Sequence, residues 1–192
     1  MQSDYWDRPA FETIRPRRLM APVVFNSAHS GRDYPERFLQ MTRLDHLSIR
    51  QSEDAWVDEL FARAPHLGAP LLRAHFPRAY LDVNREPWEL DPQMFDEPLS
   101  DRFNTTSPRV AAGLGTLARV VAENKPIYRE RLTLDDARMR IEGIYIPYHA
   151  TLQRMLTDAA ATRAAVIDGF RKHLGKARKG DIAVFHYCGH GA

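Results

Sequence analysis

Three short stretches of the chain carry side chains able to do chemistry. The first is Asn26-Ser27-Ala28-His29-Ser30-Gly31, which follows the apolar run Pro22-Val23-Val24-Phe25. That run is short and rich in β-branched residues, as buried parallel strands are. In an open α/β sheet, ligands bind in the loops past the carboxyl ends of strands. A histidine placed there can reach a metal or a substrate, and Gly31 permits close backbone approach. A strand followed by an ordinary turn with a solvated His29 is the competing reading. The second stretch is Arg78-Ala79-Tyr80-Leu81-Asp82-Val83-Asn84-Arg85-Glu86-Pro87. Tyr80 to Val83 alternates as a strand does and ends in Asn84 and Arg85. Arg85 offers a planar fork of donors suited to a carboxylate, and Asn84 offers both a donor and an acceptor. A surface Asp–Arg pair flanking a strand is the alternative. The third stretch, Ser52-Glu53-Asp54, stands before a helical pattern, where acids are favoured by the helix dipole in any case. Two polar clusters that each follow a strand point to the rim of an active site.

The elements that must position these groups read as an α/β fold with a parallel-rich sheet flanked by helices. Val23–Asn26 and Leu81–Asn84 are expected as inner strands whose carboxyl ends face one cleft, with Ala69–Ala74 as a further strand. Helices are predicted over Pro35–Met41 and Asp54–Ala64. In the second, Trp56, Val57, Leu60 and Phe61 form the apolar stripe. Glu86–Ser107 is rich in Pro and Asp and lacks a clear period, and loops of that length are usually functional lids or disordered. Val110–Val121 is interrupted by glycine and fits either a helix or a strand-bearing loop. Thr133–Leu156 is the strongest helix, capped by Thr133 with Asp135 and Asp136 in its first turn. It is expected to bend at Pro147, which lacks a backbone donor. Residues 1–21 read as a loosely ordered lead-in, 22–160 as the main domain and 161–192 as a divergent tail.

Composition excludes several classes. The 27 basic and 25 acidic side chains leave a formal charge of +2, which argues against a general nucleic-acid or membrane-surface binder. The basic run Arg15-Pro16-Arg17-Arg18 reads as a solvated lead-in. A single cysteine excludes an internal disulfide framework. No apolar run is long enough for a transmembrane helix, and the N-terminus lacks an apolar signal core. A cytoplasmic location is the default expectation.

Taken together, the blocks resemble the N-formylglutamate amidohydrolase family. The resemblance rests on Asn26–Gly31, on Ser52-Glu53-Asp54 with Val57-Asp58, and on Tyr80-Leu81-Asp82-Val83-Asn84-Arg85 running on through Phe95. It continues in Arg109–Thr116, Pro126-Ile127-Tyr128-Arg129 and Tyr145-Ile146-Pro147-Tyr148-His149, spanning roughly residues 22–156. The resemblance implies a zinc carboxypeptidase-like (phosphorylase/hydrolase-like) fold. It also implies zinc-dependent cleavage of N-formyl-L-glutamate, or a related N-acyl amino acid, to a free amine and a carboxylate. Zinc hydrolases use three protein ligands and an open position for water. On the family pattern His29 is the first ligand and Asp54, ahead of Glu53, the second. Asn84 and Arg85 are the clamp for the substrate carboxylate. Tyr148 and His149 either line the site or pack the long helix, with packing favoured.

The family pattern then departs. Where members carry a strand ending in Asp-Cys-His-Ser, this chain has Ala165-Val166-Ile167-Asp168-Gly169-Phe170, without the histidine. His149, His173, His186 and His190 remain as substitutes for the third ligand, none at the family position. No residue stands where the family's late glutamate would serve as general base, so the catalytic residue is unassigned and the fold reads as incomplete at its C-terminus. The tail has its own resemblance. A helix over Thr162–Leu174 and a strand over Ile182–Tyr187, followed by Cys188-Gly189-His190-Gly191, resemble the start of a caspase-like peptidase domain. Two functional readings follow. One is a zinc-dependent amidohydrolase acting on a small N-acyl amino acid, active or disabled by the loss of the third ligand. The other is a non-catalytic truncated or fusion product.

Overall fold

The computed structural model describes residues 8–20, 23–159 and 172. It is a mixed α/β structure with small sheets and short helices. The central sheet has three strands, β1 (Phe11–Ile14), β2 (Phe25–Ser27) and β3 (Leu71–Ala74), in the order β1-β3-β2. β2 runs parallel to β3, with Phe25 opposite Leu71, whereas β1 runs antiparallel, with Phe11 opposite Ala74. Leu71 and Leu72 are fully buried, as expected for a middle strand covered on both faces. Two further strands, β4 (Val120–Val121) and β5 (Lys125–Pro126), make a small antiparallel ladder. The helices are α1 (Glu36–Met41), α2 (Val57–Leu60), α3 (Pro108–Ala111), α4 (Leu134–Arg140) and α5 (Ile146–Asp158), with short 3-10 turns between them.

Several expectations hold. β3 lies within Ala69–Ala74, α1 within Pro35–Met41, and Glu86–Ser107 is irregular apart from a 3-10 turn at Pro92–Met94. Thr133 caps the long helix in a reciprocal box with Asp136, each side chain meeting the other's backbone N–H at 3.2 Å. The bend expected at Pro147 takes another form. Ile141–Tyr145 is a π-helical segment joining α4 to α5. Pro147 has no N–H to donate, and its ring crowds the carbonyl four residues back. Widening the preceding turn accommodates both, as π-bulges do.

Four expectations are corrected. The lead-in is not loose throughout, because β1 lies inside it. Arg73 of β3 holds it through an ion pair with Glu12, and the His75 ring bonds the Pro9 carbonyl. The sheet is mixed among the described residues, with one parallel and one antiparallel pairing. The helix expected over Asp54–Ala64 shrinks to α2 followed by a 3-10 turn at Ala64–Leu67, and its expected apolar stripe is split: Trp56 is 57% exposed and Leu60 73%, whereas Val57 and Phe61 are half-buried and Phe61 packs on Phe25. Trp56 adopts a left-handed backbone (φ 66°), unusual for a bulky residue, with the Arg32 guanidinium 4.5 Å from its ring centre. Finally, Leu81–Asn84 is not a strand. It pairs with no strand of the sheet, and Tyr80, Leu81, Asp82 and Val83 are all buried instead of alternating between core and solvent. The segment is a buried turn, and its polar groups must be satisfied by other means. The tail from residue 161 onward lies outside the described residues, Lys172 excepted.

Gly31 does make the close approach expected of it. A Cβ there would stand 2.6 Å from the His75 carbonyl oxygen and closer still to that of Phe76, while Asp33 N–H already bonds the His75 carbonyl at 2.9 Å. Both obstacles are backbone and cannot rotate away. Gly31→Ala is therefore expected to destabilise the fold by about 1–3 kcal/mol, read as a drop in the urea midpoint at unchanged m-value.

Candidate functional site

His29 lies two residues beyond the end of β2 and is 7% exposed. The loop that carries it is tied down locally: Ser27 and Ser30 hydroxyls bond each other, and the Tyr148 hydroxyl donates to the Asn26 side chain from α5. Both ring nitrogens of His29 face carboxylates. Nε2–H donates to Asp82 Oδ1 at 2.8 Å, and Nδ1 stands 3.4 Å from Asp54 Oδ2. The backbone repeats the pairing, since the Asp54 N–H donates to the His29 carbonyl at 3.0 Å. Burial opposes charge on the ring, but the hydrogen bonds to Asp54 and Asp82 outweigh it and raise the His29 pKa above its ordinary value.

Asp82 is the hub. Its side chain is 4% exposed, yet it is surrounded by cations. Arg78 Nε donates to Oδ2 at 3.0 Å, and Arg85 Nη2 lies 3.5 Å from the same oxygen. Burial alone would raise the carboxyl's pKa, but His29, Arg78 and Arg85 hold it well below the usual carboxylate range. Asp82 Oδ1 also accepts the Asn84 N–H at 2.9 Å, which closes the turn on itself.

The remaining polar groups of this turn are satisfied from two sides. From the loop at Leu114–Thr116, the Thr116 carbonyl accepts the Asp82 N–H at 2.8 Å, and the Leu114 carbonyl accepts Arg85 Nε at 2.8 Å. From the long helix, Arg140 Nη1 donates to the Tyr80 carbonyl at 3.1 Å. Tyr145 donates its hydroxyl to the Arg85 carbonyl, and His149 Nε2 donates to the Val83 carbonyl at 2.8 Å. Arg140 is itself buried, its guanidinium 4.2 Å from the Tyr80 ring centre.

The structure thus gathers His29 and Arg85 around Asp82, sets Asp54 against the other ring nitrogen of His29, and places Asn84 beside Asp82. Arg85 is fixed by the carbonyls of Leu114 and Asn84, the latter at 2.9 Å, and still has N–H groups on its terminal nitrogens to offer. Glu53 is committed elsewhere, accepting from Tyr34 at 2.6 Å and pairing with Arg50 at 3.1 Å. Tyr148 is fully buried, and His149 stacks on Tyr145 at 4.3 Å, so both act as packing and pinning groups. His173, His186 and His190 lie outside the described residues. Among the described residues, no group of three or more His, Cys, Asp or Glu side chains is disposed to hold a metal. Sequence reasoning missed Asp82 and Arg78 as site residues. The usable signal was their four-residue spacing, with Asp82 two positions before Asn84. A cleft of about 400 Å³ opens beside this pair, walled by Leu114, Val120 and Val121; its lining takes in Arg78 and Asp82 but not His29, Asn84 or Arg85.

Residues 21–171 match the family model described as N-formylglutamate amidohydrolase. A solved structure of N-formylglutamate amidohydrolase from Ralstonia eutropha JMP134 is similar at 33% identity and a TM-score of 0.71, over 78% of this chain. This chain spans 52% of that protein's length. No curated protein matches the chain significantly.

Replacing Asp82 by Asn would leave the surrounding cations without their shared counter-charge. Asp82→Asn is expected to destabilise the protein at pH 7 by about 3–5 kcal/mol. Because the folded-state pKa of Asp82 is depressed, its stabilisation is complete above the unfolded value near 3.9 and is lost as pH falls through the folded value. Urea melts should therefore show the gap between wild type and Asp82→Asn narrowing by about 1 kcal/mol between pH 7 and pH 3.

Proposed function

Because the chain belongs to the N-formylglutamate amidohydrolase family, we propose that it acts on the amide bond of N-formyl-L-glutamate or a related N-acyl amino acid, in a zinc carboxypeptidase-like site. The observation that carries this reading is the Asp54–His29–Asp82 chain at the end of β2, with Arg85 against the same buried aspartate. A histidine that donates one ring N–H to a carboxylate presents its other nitrogen as a ligand, the usual arrangement around protein-bound zinc. With Nε2 engaged by Asp82, the nitrogen left to His29 is Nδ1, and it faces a carboxylate oxygen of Asp54. This donor chemistry fits zinc for two of the usual three protein ligands. His29 and Asp54 would hold the ion, which when bound activates a water and polarises the scissile carbonyl.

The chain's own residues supply the rest. Asp82 fixes the tautomer and plane of the His29 ring and increases its basicity. Arg85, held flat by two backbone carbonyls, meets the substrate's carboxylate with its remaining N–H groups, and Asn84 adds a donor and an acceptor beside it. Arg78, whose terminal amino groups have no partner among the described residues, brings a second cation to the cleft. A dicarboxylate such as N-formylglutamate suits a site with two arginines better than a neutral N-acyl amino acid does.

Two measurements test the reading. Metal analysis of the purified chain is expected to find substoichiometric zinc, reduced further in His29→Ala; tight one-to-one zinc that survives that substitution would refute the ligand assignment. In an assay with N-formyl-L-glutamate, Arg85→Lys is expected to raise KM about tenfold or more with a smaller change in kcat, because lysine keeps the charge but loses the fork. Unchanged kinetics would move the clamp elsewhere. Saturating zinc without any turnover would favour the non-catalytic reading.

A further inference from the structure

A second basic cleft takes no part in the site around Asp82. It has a volume of about 310 Å³, and Arg43, Arg119, Arg129 and Arg131 line it together with Tyr128 and Glu130. The segment Arg129-Glu130-Arg131 also lines a neighbouring hollow of about 290 Å³, so the basic surface continues beyond the first cleft.

The charges of this cleft are poorly neutralised. Among the described residues, only Arg119 of the four has a carboxylate partner, Asp91 at 2.7 Å. Arg129 donates Nε to the Thr42 carbonyl at 2.7 Å and Arg43 donates to the Arg129 carbonyl at 3.4 Å, bonds that fix position without cancelling charge. Arg131 has no hydrogen-bond or ion-pair partner among the described residues. Glu130 is the one carboxylate in the lining. Guanidinium groups repel one another, so such a cluster is favourable only where water or an anion screens it.

The backbone beneath these side chains is firmly knit. Arg43 N–H donates to the Ile127 carbonyl at 2.9 Å, Arg129 N–H to Met41 at 3.0 Å, Ile127 N–H to Arg119 at 2.9 Å and Leu132 N–H to Met94 at 2.7 Å. Segments far apart in sequence therefore present their arginines around one concavity from a fixed backbone. A fixed set of forked donors around a concavity is how proteins bind phosphate groups, which offer several oxygens and more than one charge. A carboxylate carries a single charge and would leave most of these cations unmatched.

We propose that this cleft is a binding site for a small phosphate-bearing anion, separate from the site around Asp82. The volume admits a compact organic phosphate or a pyrophosphate. The near-balanced charge of the whole chain argues against a nucleic acid as the occupant.

The test uses the full chain and inorganic pyrophosphate, with sodium sulfate and sodium chloride at matched ionic strength as controls, all in the presence of EDTA. Calorimetric titration is expected to give one-to-one binding of pyrophosphate, and the thermal midpoint should rise with pyrophosphate beyond the rise with sulfate. Arg131→Ala should weaken binding about tenfold, in line with the loss of charge-assisted hydrogen bonds. The double variant Arg43→Ala/Arg131→Ala should weaken it further, while Arg154→Ala, which removes an exposed arginine of α5, should leave it unchanged. These side chains are exposed, so the variants are expected to fold like the wild type. The proposal is overturned if pyrophosphate binds no better than sulfate, if the double variant binds as tightly as the wild type, or if Arg154→Ala weakens binding equally. Loss of binding in Arg85→Lys with the Arg131 variants intact would likewise overturn it, by placing the anion at the site around Asp82.

Discussion

Asp82 is a carboxylate buried almost completely, and the site is organised around keeping it charged. Its burial would be prohibitive if it were unpaired. His29, Arg78 and Arg85 meet the cost from three directions, two of them within the same turn and one from the loop after β2. The same interactions do a second job. They fix the plane of the imidazole, hold Arg85 beside it and draw the loop after β2 against the turn. Stability and site geometry therefore share one set of contacts, and neither can be altered alone.

The turn that carries Asp82 has no strand neighbour. Its backbone groups are buried, so each needs a partner. The long helix supplies three of them, from Arg140 just before the π-helical segment, Tyr145 at its end and His149 one turn on in α5. A regular α-helix with Pro147 in its interior would lose a hydrogen bond and clash with the preceding turn. The π segment absorbs that misfit and sets which side chains turn toward the loop. Tyr148, just past the proline, reaches Asn26 on β2 and so links the helix to the strand that presents His29.

The chain carries two arginine groupings with different electrostatic settings. Around Asp82 the cations converge on a buried carboxylate and lose solvent access. In the cleft lined by Arg43, Arg119, Arg129 and Arg131 the cations stay near water and mostly lack a carboxylate partner. A formal charge of +2 for the whole chain conceals this unevenness. Asp54 forms a third local feature: it is half exposed, its side chain faces His29, and it stands just before the left-handed Trp56. Strained backbone beside a site residue is a recurring way of holding a loop in one conformation.

The sequence by itself singled out a histidine, an aspartate and an Asn-Arg pair that the fold brings into one neighbourhood, and a strand that leads into the first of them. Those assignments depend on residue type and local order, which a linear reading preserves. It also determined the cap at Thr133, the disturbance at Pro147 and the close approach at Gly31, each a property of one residue and its immediate neighbours. Only the tertiary structure decided that Tyr80–Val83 is a buried turn and not a strand, because its backbone groups find their partners in the Leu114–Thr116 loop and the long helix, both distant in sequence. It alone showed that Trp56 and Leu60 face solvent, since a period in sequence does not say whether anything packs against it. The central place of Asp82 was hidden for the same reason. A carboxylate among arginines reads as a surface ion pair until the fold removes the water around it.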